Sequence, residues 1–158
     1  MLDFKSSAIH FRQTLKAPPL IRLYDYWWSK SVDNRIPSRA QIDPLDVPDL
    51  LPTIFLVDVI DTGSGPGFRF RLVGSKITDV VGSDPTGLCF ENFYNAANFN
   101  EVVEIYSKVV SRCEPFSNTT TAPFPDKDYV RFTRLLLPLS KQGERVDMIL
   151  GCLYFENV

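Results

Sequence analysis

Two short strand-like segments meet at a glycine-rich turn in the first half of this chain, and everything else must be built around that pairing. TIFLVDVI (53–60) is a β-branched, apolar run of strand length. After DTGSGPG comes FRFRLV (68–73), in which Phe68, Phe70 and Leu72 alternate with Arg69 and Arg71. Strict alternation describes a strand with one buried and one wet face. Gly63, Gly65 and Gly67 are read as turn residues, because a phosphate-cradling loop needs a helix N-terminus directly after its glycines and here a strand follows. The two segments predict an antiparallel hairpin.

Helices follow. Residues 74–81 read as a short helix, GSDPTG (82–87) as a turn and LCFENFYN as a second short helix. Asn98 is the expected cap of a longer helix, with Glu101 at the third position of a capping box. Phe99, Val102, Val103, Tyr106, Val109, Val110 and Cys113 fall at i, i+3, i+4, i+7 spacing, which predicts one apolar face, and Pro115 ends the helix. Glu104 and Lys108 form an i,i+4 pair on its wet side. The last third reads as three strands: 114–124, turning at PDKD, then 129–139, then 146–155 after the polar turn KQGE. The order is thus two strands, a helical middle and three strands.

Upstream, residues 1–17 read as a loose arm or a first helix, and Pro18–Pro19 set up a helix over 20–31. That helix has two apolar stripes, Leu20, Leu23, Tyr24 and Trp27 on one side, Ile21 and Trp28 on another. An amphipathic helix needs only one. Either both stripes pack on the chain's own domain, or Tyr24, Tyr26, Trp27 and Trp28 meet a partner or a second copy. The proline-rich connector that follows places Asp43, Asp46 and Asp49 where turn and N-cap residues belong. A metal cluster is the weaker reading, since no His or Cys lies nearby. The expected division is an arm and flanking helix over 1–35 and a main domain over 36–158.

Composition narrows the function. A 158-residue chain with 44% hydrophobic residues suits one domain with an ordinary core. A net charge of -2 offers no basic excess for phosphates, so no nucleic-acid partner is expected. Cys89, Cys113 and Cys152 are odd in number and contain no C-x-x-C, which fits reduced thiols. The opening MLDFKSSAIHFRQTLKAPP lacks the pattern of a secretory signal, and LLPTIFLVDVI is interrupted by Pro52 and Asp58, short of the roughly 20 apolar residues of a membrane span. A cytoplasmic location and no membrane partner are expected.

The element order resembles that of PAS domains. So do RAQIDPLDVPDLLPTIFLVDV (39–59), FRFRLVGSKITDVVGSDPTG (68–87) and YVRFTRLLLPLSKQGERVDMILG (129–151), which resemble a bacterial group of short stand-alone PAS proteins. Arg71 and Gly74 in RLVG, Gly82 and Gly87 around DPTG, and Leu137–Pro138–Leu139–Ser140 carry most of that likeness, which spans about 20–155. The resemblance implies an α+β fold: a five-stranded antiparallel sheet in the order 2-1-5-4-3, helices on one face, and a flanking N-terminal helix. It also implies a cavity between sheet and helices, which many PAS domains fill with flavin, haem or a metabolite. Phe99, Val103 and Tyr106 on the helix, with Phe55, Phe70, Leu72, Leu135 and Met148 on the strands, are the candidate wall residues. The parity of the strand after Tyr129 stays open, because both of its faces are apolar.

No particular cofactor is called for. Cys89 lies in GLCFENF, but the Gly-x-Asn step and the Arg-Phe-Leu-Gln continuation of the flavin-adduct PAS subset are absent, which disfavours a covalent flavin. Haem through histidine is disfavoured because His10, the single histidine, precedes the domain. The same scarcity leaves no Ser-His-Asp or Cys-His arrangement, and His10 with FRQTLKAPP matches a kinase phosphoacceptor box only by coincidence. The reading is therefore a non-catalytic sensory or regulatory module that acts through protein contacts. It could hold a small molecule or form a homodimer, with its output on another polypeptide. The alternative is a small cone-shaped enzyme of the nuclear-transport-factor type, such as an isomerase. That fold places its main helices before most strands, whereas a hairpin comes first here.

Overall fold

A computed structural model describes residues 4–123, 125–127 and 129–156. Residues 1–3 of the expected arm, Phe124 of the expected third strand, Asp128 of the expected turn and the last two residues lie outside the described residues. The elements are α1 (Phe4–Thr14), α2 (Pro18–Ser29), β1 (Ile54–Asp61), β2 (Pro66–Val73), α3 (Ser75–Val81), α4 (Phe90–Phe93), α5 (Ala96–Arg112), β3 (Phe116–Thr121), β4 (Arg131–Leu139) and β5 (Met148–Phe155). The five strands form one antiparallel sheet in the order β2-β1-β5-β4-β3. The expected fold class is therefore present, and its hairpin-first order is not that of the cone-shaped alternative.

Helices α3, α4 and α5 cover one face of the sheet. Ile77, Phe90, Val102, Tyr106 and Val109 pack there on Phe55, Val57, Phe68, Phe70, Leu136 and Ile149. On α5 the most buried residues are Val102, Tyr106 and Val109, while Phe99, Val103 and Val110 flank them half-buried. The helix begins three residues earlier than its sequence pattern suggests. The Asn95 side chain, not that of Asn98, is the cap, accepting from the Asn98 backbone N–H at 3.0 Å. Asx capping outcompetes the downstream capping box here because Ala96 and Ala97 extend the helix at no side-chain entropy cost.

The opposite face is closed by α2. Leu20, Leu23, Tyr24 and Trp27 pack on Leu135, Leu137, Leu139, Leu150 and Cys152. Trp27, only 1% exposed, donates its indole N–H to the Pro138 carbonyl at 2.9 Å. Pro138 lies beyond the end of β3, whose pairing stops at Leu136, so its missing N–H leaves no neighbouring strand unpaired. Helix α1 packs on α2 in turn: the Tyr24 hydroxyl donates to the Ala8 carbonyl at 3.0 Å, and Arg12 grips Asp25 with two bonds of 2.7 and 3.0 Å. The prediction that Tyr24 and Trp27 meet a partner is corrected by this packing. They are core residues, because the central strands need an apolar lid on this face too. Tyr26 is half-buried, its hydroxyl donating to Asp46 at 2.7 Å and accepting from the Asp43 N–H at 2.8 Å. Trp28 is half-buried as well.

The connector acids have structural roles. Asp43 caps a 3-10 turn by accepting from the Leu45 N–H at 2.9 Å, Asp46 accepts from Tyr26, and Asp49 pairs with Arg22 at 2.6 Å. On β1, Asp58 is buried against the edge strand β2, with Arg69 and Arg71 each 3.2 Å away.

Candidate functional site

Between the sheet and α3–α5 lies a cavity of about 80 Å³, bounded mainly by apolar side chains. The sheet contributes Phe55, Phe70, Val73, Phe132, Arg134, Leu153 and Phe155. The cover contributes Ile77, Val80 and Val81 from α3, Phe93 and Tyr94 from α4 and its C-cap, and Tyr106 from α5. Ala122 and Pro123, just past β3, close one side. An aromatic cluster stiffens the wall: Phe70 meets Phe90 at 4.8 Å between ring centroids and Phe93 at 5.1 Å, and Phe90 meets Tyr106 edge-on at 4.9 Å.

Of the eight expected wall residues, Phe55, Phe70 and Tyr106 line this cavity. Phe99 and Val103 pack at the flank of the same core without lining it. Leu72, Leu135 and Met148 are corrections. Strict alternation puts Leu72 on the face of Phe70, but a bulge intervenes. Leu56 pairs with Leu72 and Val57 with Phe70, so Arg71 is the extra residue. The bulge turns Leu72 to the α2 side, 43% exposed, and Val73 takes the place on the cavity side opposite Phe55. Leu135 and Met148 pack under α2 instead. Because helices cover both faces of β4 and β5, hydrophobicity alone could not tell one face from the other.

A small residue seats one of the wall residues, Phe55. Gly151 of β5 lies directly across from Phe55 of β1, and a Cβ there would stand 2.1 Å from Phe55 Cζ. The Phe55 ring thus folds over the glycine, which no larger residue permits in this geometry.

The polar exception in the wall is Arg134, which sequence reasoning missed. It is only 7% exposed, and its Nε donates to Asn118 Oδ1 on β3 at 3.2 Å. The other side of the side chain faces Tyr94 and Tyr106. Burial pushes the Tyr94 phenol up to about 12 and raises that of Tyr106 as well, while the positive charge of Arg134 pulls both back part of the way. Among the described residues, ion pairs serve Arg12, Arg22, Arg69, Arg71, Lys108 and Arg131, and none involves Arg134. The signal was present in the sequence: in RFTRLLLPL, Arg134 is a charge set directly against an uninterrupted apolar run, Leu135 to Leu139.

Arg134 also borders a second, open groove of about 310 Å³. The two spaces share Tyr94, Ala122, Pro123, Phe132 and Arg134, and the groove adds Asn98, Glu101 and Thr120. Asn98 Nδ2 donates to the Pro123 carbonyl at 3.4 Å and so ties α5 to the segment between the spaces.

The cysteines and the histidine lie elsewhere. Cys89 sits at the N-cap of α4, Cys152 is buried under α2 with its thiol pushed up to about 11 by that burial, and His10 is exposed on α1. Among the described residues no helix is long and apolar enough to cross a membrane.

Comparison with solved structures finds similar chains at low identity. A LOV protein from Rhodobacter sphaeroides is similar with a TM-score of 0.50 and 12% identity, over 73% of this chain and 69% of that one. The PAS-B domain of Drosophila melanogaster Cycle, with bound glycerol, is similar at 0.47 and 15%, over 66% and 99%. The N-terminal domain of a diguanylate cyclase with PAS/PAC sensor from Marinobacter aquaeolei gives 0.45 and 14%, over 65% and 94%. None of the curated proteins matches the chain significantly. The PAS domain family matches residues 15–154, a span that takes in α2, β1 to β4 and all but the last residue of β5. With that match and the β2-β1-β5-β4-β3 sheet, the chain belongs to the PAS domain family.

Proposed function

We propose that the protein is a non-catalytic sensory or regulatory module that works in the cytoplasm. It takes a small ligand into the core cavity and passes the occupancy on by contact with another protein or a second copy of itself. The observation that carries this reading is the cavity, lined by the sheet and by all three covering helices, so that an occupant touches every layer of that half of the domain. Apolar enclosed pockets with a few polar groups are the usual form of a small-molecule site. Within the flanking helix, Tyr26 and Trp28 remain the candidates for a partner face, since Tyr24 and Trp27 are enclosed.

Native mass spectrometry of protein purified from its own host tests the proposal. The expected result is an intact mass exceeding the denatured one by a small molecule, or a complex with a second chain. A bare monomer across the accessible concentration range would refute it.

A further inference from the structure

A buried arginine without a carboxylate is an expensive feature of a fold. Removing a guanidinium from water is costly unless its charge is paired and its donors are satisfied. The surface arginines Arg12, Arg22, Arg69 and Arg71 all have aspartate partners, whereas the much more buried Arg134 is hydrogen-bonded to the Asn118 amide oxygen and to Tyr106 and, among the described residues, pairs with no carboxylate. Nε is one of five N–H donors, and the other four sit on the two terminal nitrogens of the planar fork. Glu101, the acid on the groove's rim, is outside ion-pair distance of Arg134. Arg134 therefore stands between a mainly apolar space and a more polar one, with no carboxylate on it among the described residues.

From this geometry we infer that the cavity binds a short-chain monocarboxylate, its carboxylate on Arg134 and its apolar tail among Phe55, Phe70 and Phe132. The inference deepens the proposed function and rests on it. Three observations select the ligand class. The guanidinium fork matches a planar carboxylate with two parallel bonds. The space behind it is walled by rings and aliphatic groups, which favours a tail and disfavours a compact polyanion. At about 80 Å³ it is roughly half the size of an engineered cavity of about 150 Å³ that holds benzene, so the tail is limited to a few carbons. The groove shared at Arg134 provides the entry, past the Asn98–Pro123 contact.

The test is a titration of the full chain with butyrate, with butyramide as a neutral near-isostere and with inorganic phosphate as an anion lacking a tail. Thermal shift and ¹H–¹⁵N chemical shifts, including the Arg134 Nε–H, are the readouts. Butyrate is expected to raise the melting temperature and move the Arg134 resonance, with the other two much weaker. Arg134→Met is expected to weaken butyrate binding about tenfold or more, the usual cost of losing a charge-assisted hydrogen bond. The wild-type comparison of the three probes stands whether or not the variant folds. Equal binding of butyramide would overturn the charge recognition while leaving a ligand cavity in place. Equal binding of phosphate would overturn the seating of a tail. If no probe binds, the inference fails, and native mass spectra then separate the cases. A retained neutral molecule would leave the proposed function standing, and a bare monomer would remove that too.

Discussion

Replacing Gly151 with alanine tests whether the Phe55 ring truly rests on the glycine. Carbon atoms in good contact lie about 3.5–4.0 Å apart, and the new Cβ would be 2.1 Å from Phe55 Cζ. The ring must therefore retreat by roughly 1.5 Å. Phe55 is buried between β1's neighbours and the helical cover, so its one open direction is the cavity that it lines. Overpacking of this kind costs about 1–3 kcal/mol. Restricting the unfolded chain returns about 0.4–1 kcal/mol, which leaves a net loss of about 1–2 kcal/mol. For a domain of this length that lowers Tm by about 2–8 °C. Urea and thermal melts followed by circular dichroism measure it. Phe55→Leu, which removes the clashing ring end, should relieve the second substitution, so that the double variant loses less than the two singles together. A stabilised Gly151→Ala protein would refute the reasoning, as would losses that add to within about 0.5 kcal/mol.

Trp27 gives a second prediction. Trp27→Ala should cost about 3–5 kcal/mol by emptying the core under α2. Trp27→Phe keeps most of the ring but strands the Pro138 carbonyl, for about 1–3 kcal/mol. A loss below about 1 kcal/mol for Trp27→Ala in urea melts would mean that α2 is not part of the core. A third concerns alkaline pH. The Tyr94 phenol is raised to about 12 in the folded protein by burial, above the ordinary value near 10 for an unfolded tyrosine. The folded state then holds the proton longer, so stability is unaffected below about pH 10 and declines as pH rises from there towards about 12. Tyr94→Phe should flatten part of that decline in pH-dependent denaturation, and an unchanged slope would count against the burial of the hydroxyl.

The parts legible in the sequence were those in which one local rule acted alone. The alternation of Phe68, Phe70 and the arginines, the turn glycines and the spacing of Val102, Tyr106 and Val109 gave the hairpin and the helix face directly, whereas the sheet order came only with the resemblance to PAS domains. Leu72 was misplaced because a bulge at Arg71 shifts parity by one, and no residue type marks such a bulge in advance. Leu135 and Met148 were misplaced for another reason. Strands covered on both sides have no wet face to set the phase, so Leu135, Leu136 and Leu137 look alike although they serve different compartments. Tyr24 and Trp27 looked surplus only while a single helical layer was assumed. Arg134 was visible throughout as a charge in an apolar strand, but its meaning depended on which face it took and on which acids were out of reach.

The bond from the Trp27 indole to Pro138 has a mechanical consequence. Arg134 and Pro138 belong to one extended strand and are separated by four residues, about 13 Å of backbone that bends little and stretches less. Tension applied at one point of such a beam is felt at the other. Under the proposed function, an occupant that drew Arg134 inward would tug on the flanking helix through its tryptophan, and a force on that helix would load the guanidinium in return. By linkage, a partner that gripped α2 would then also tune how tightly the interior held its ligand.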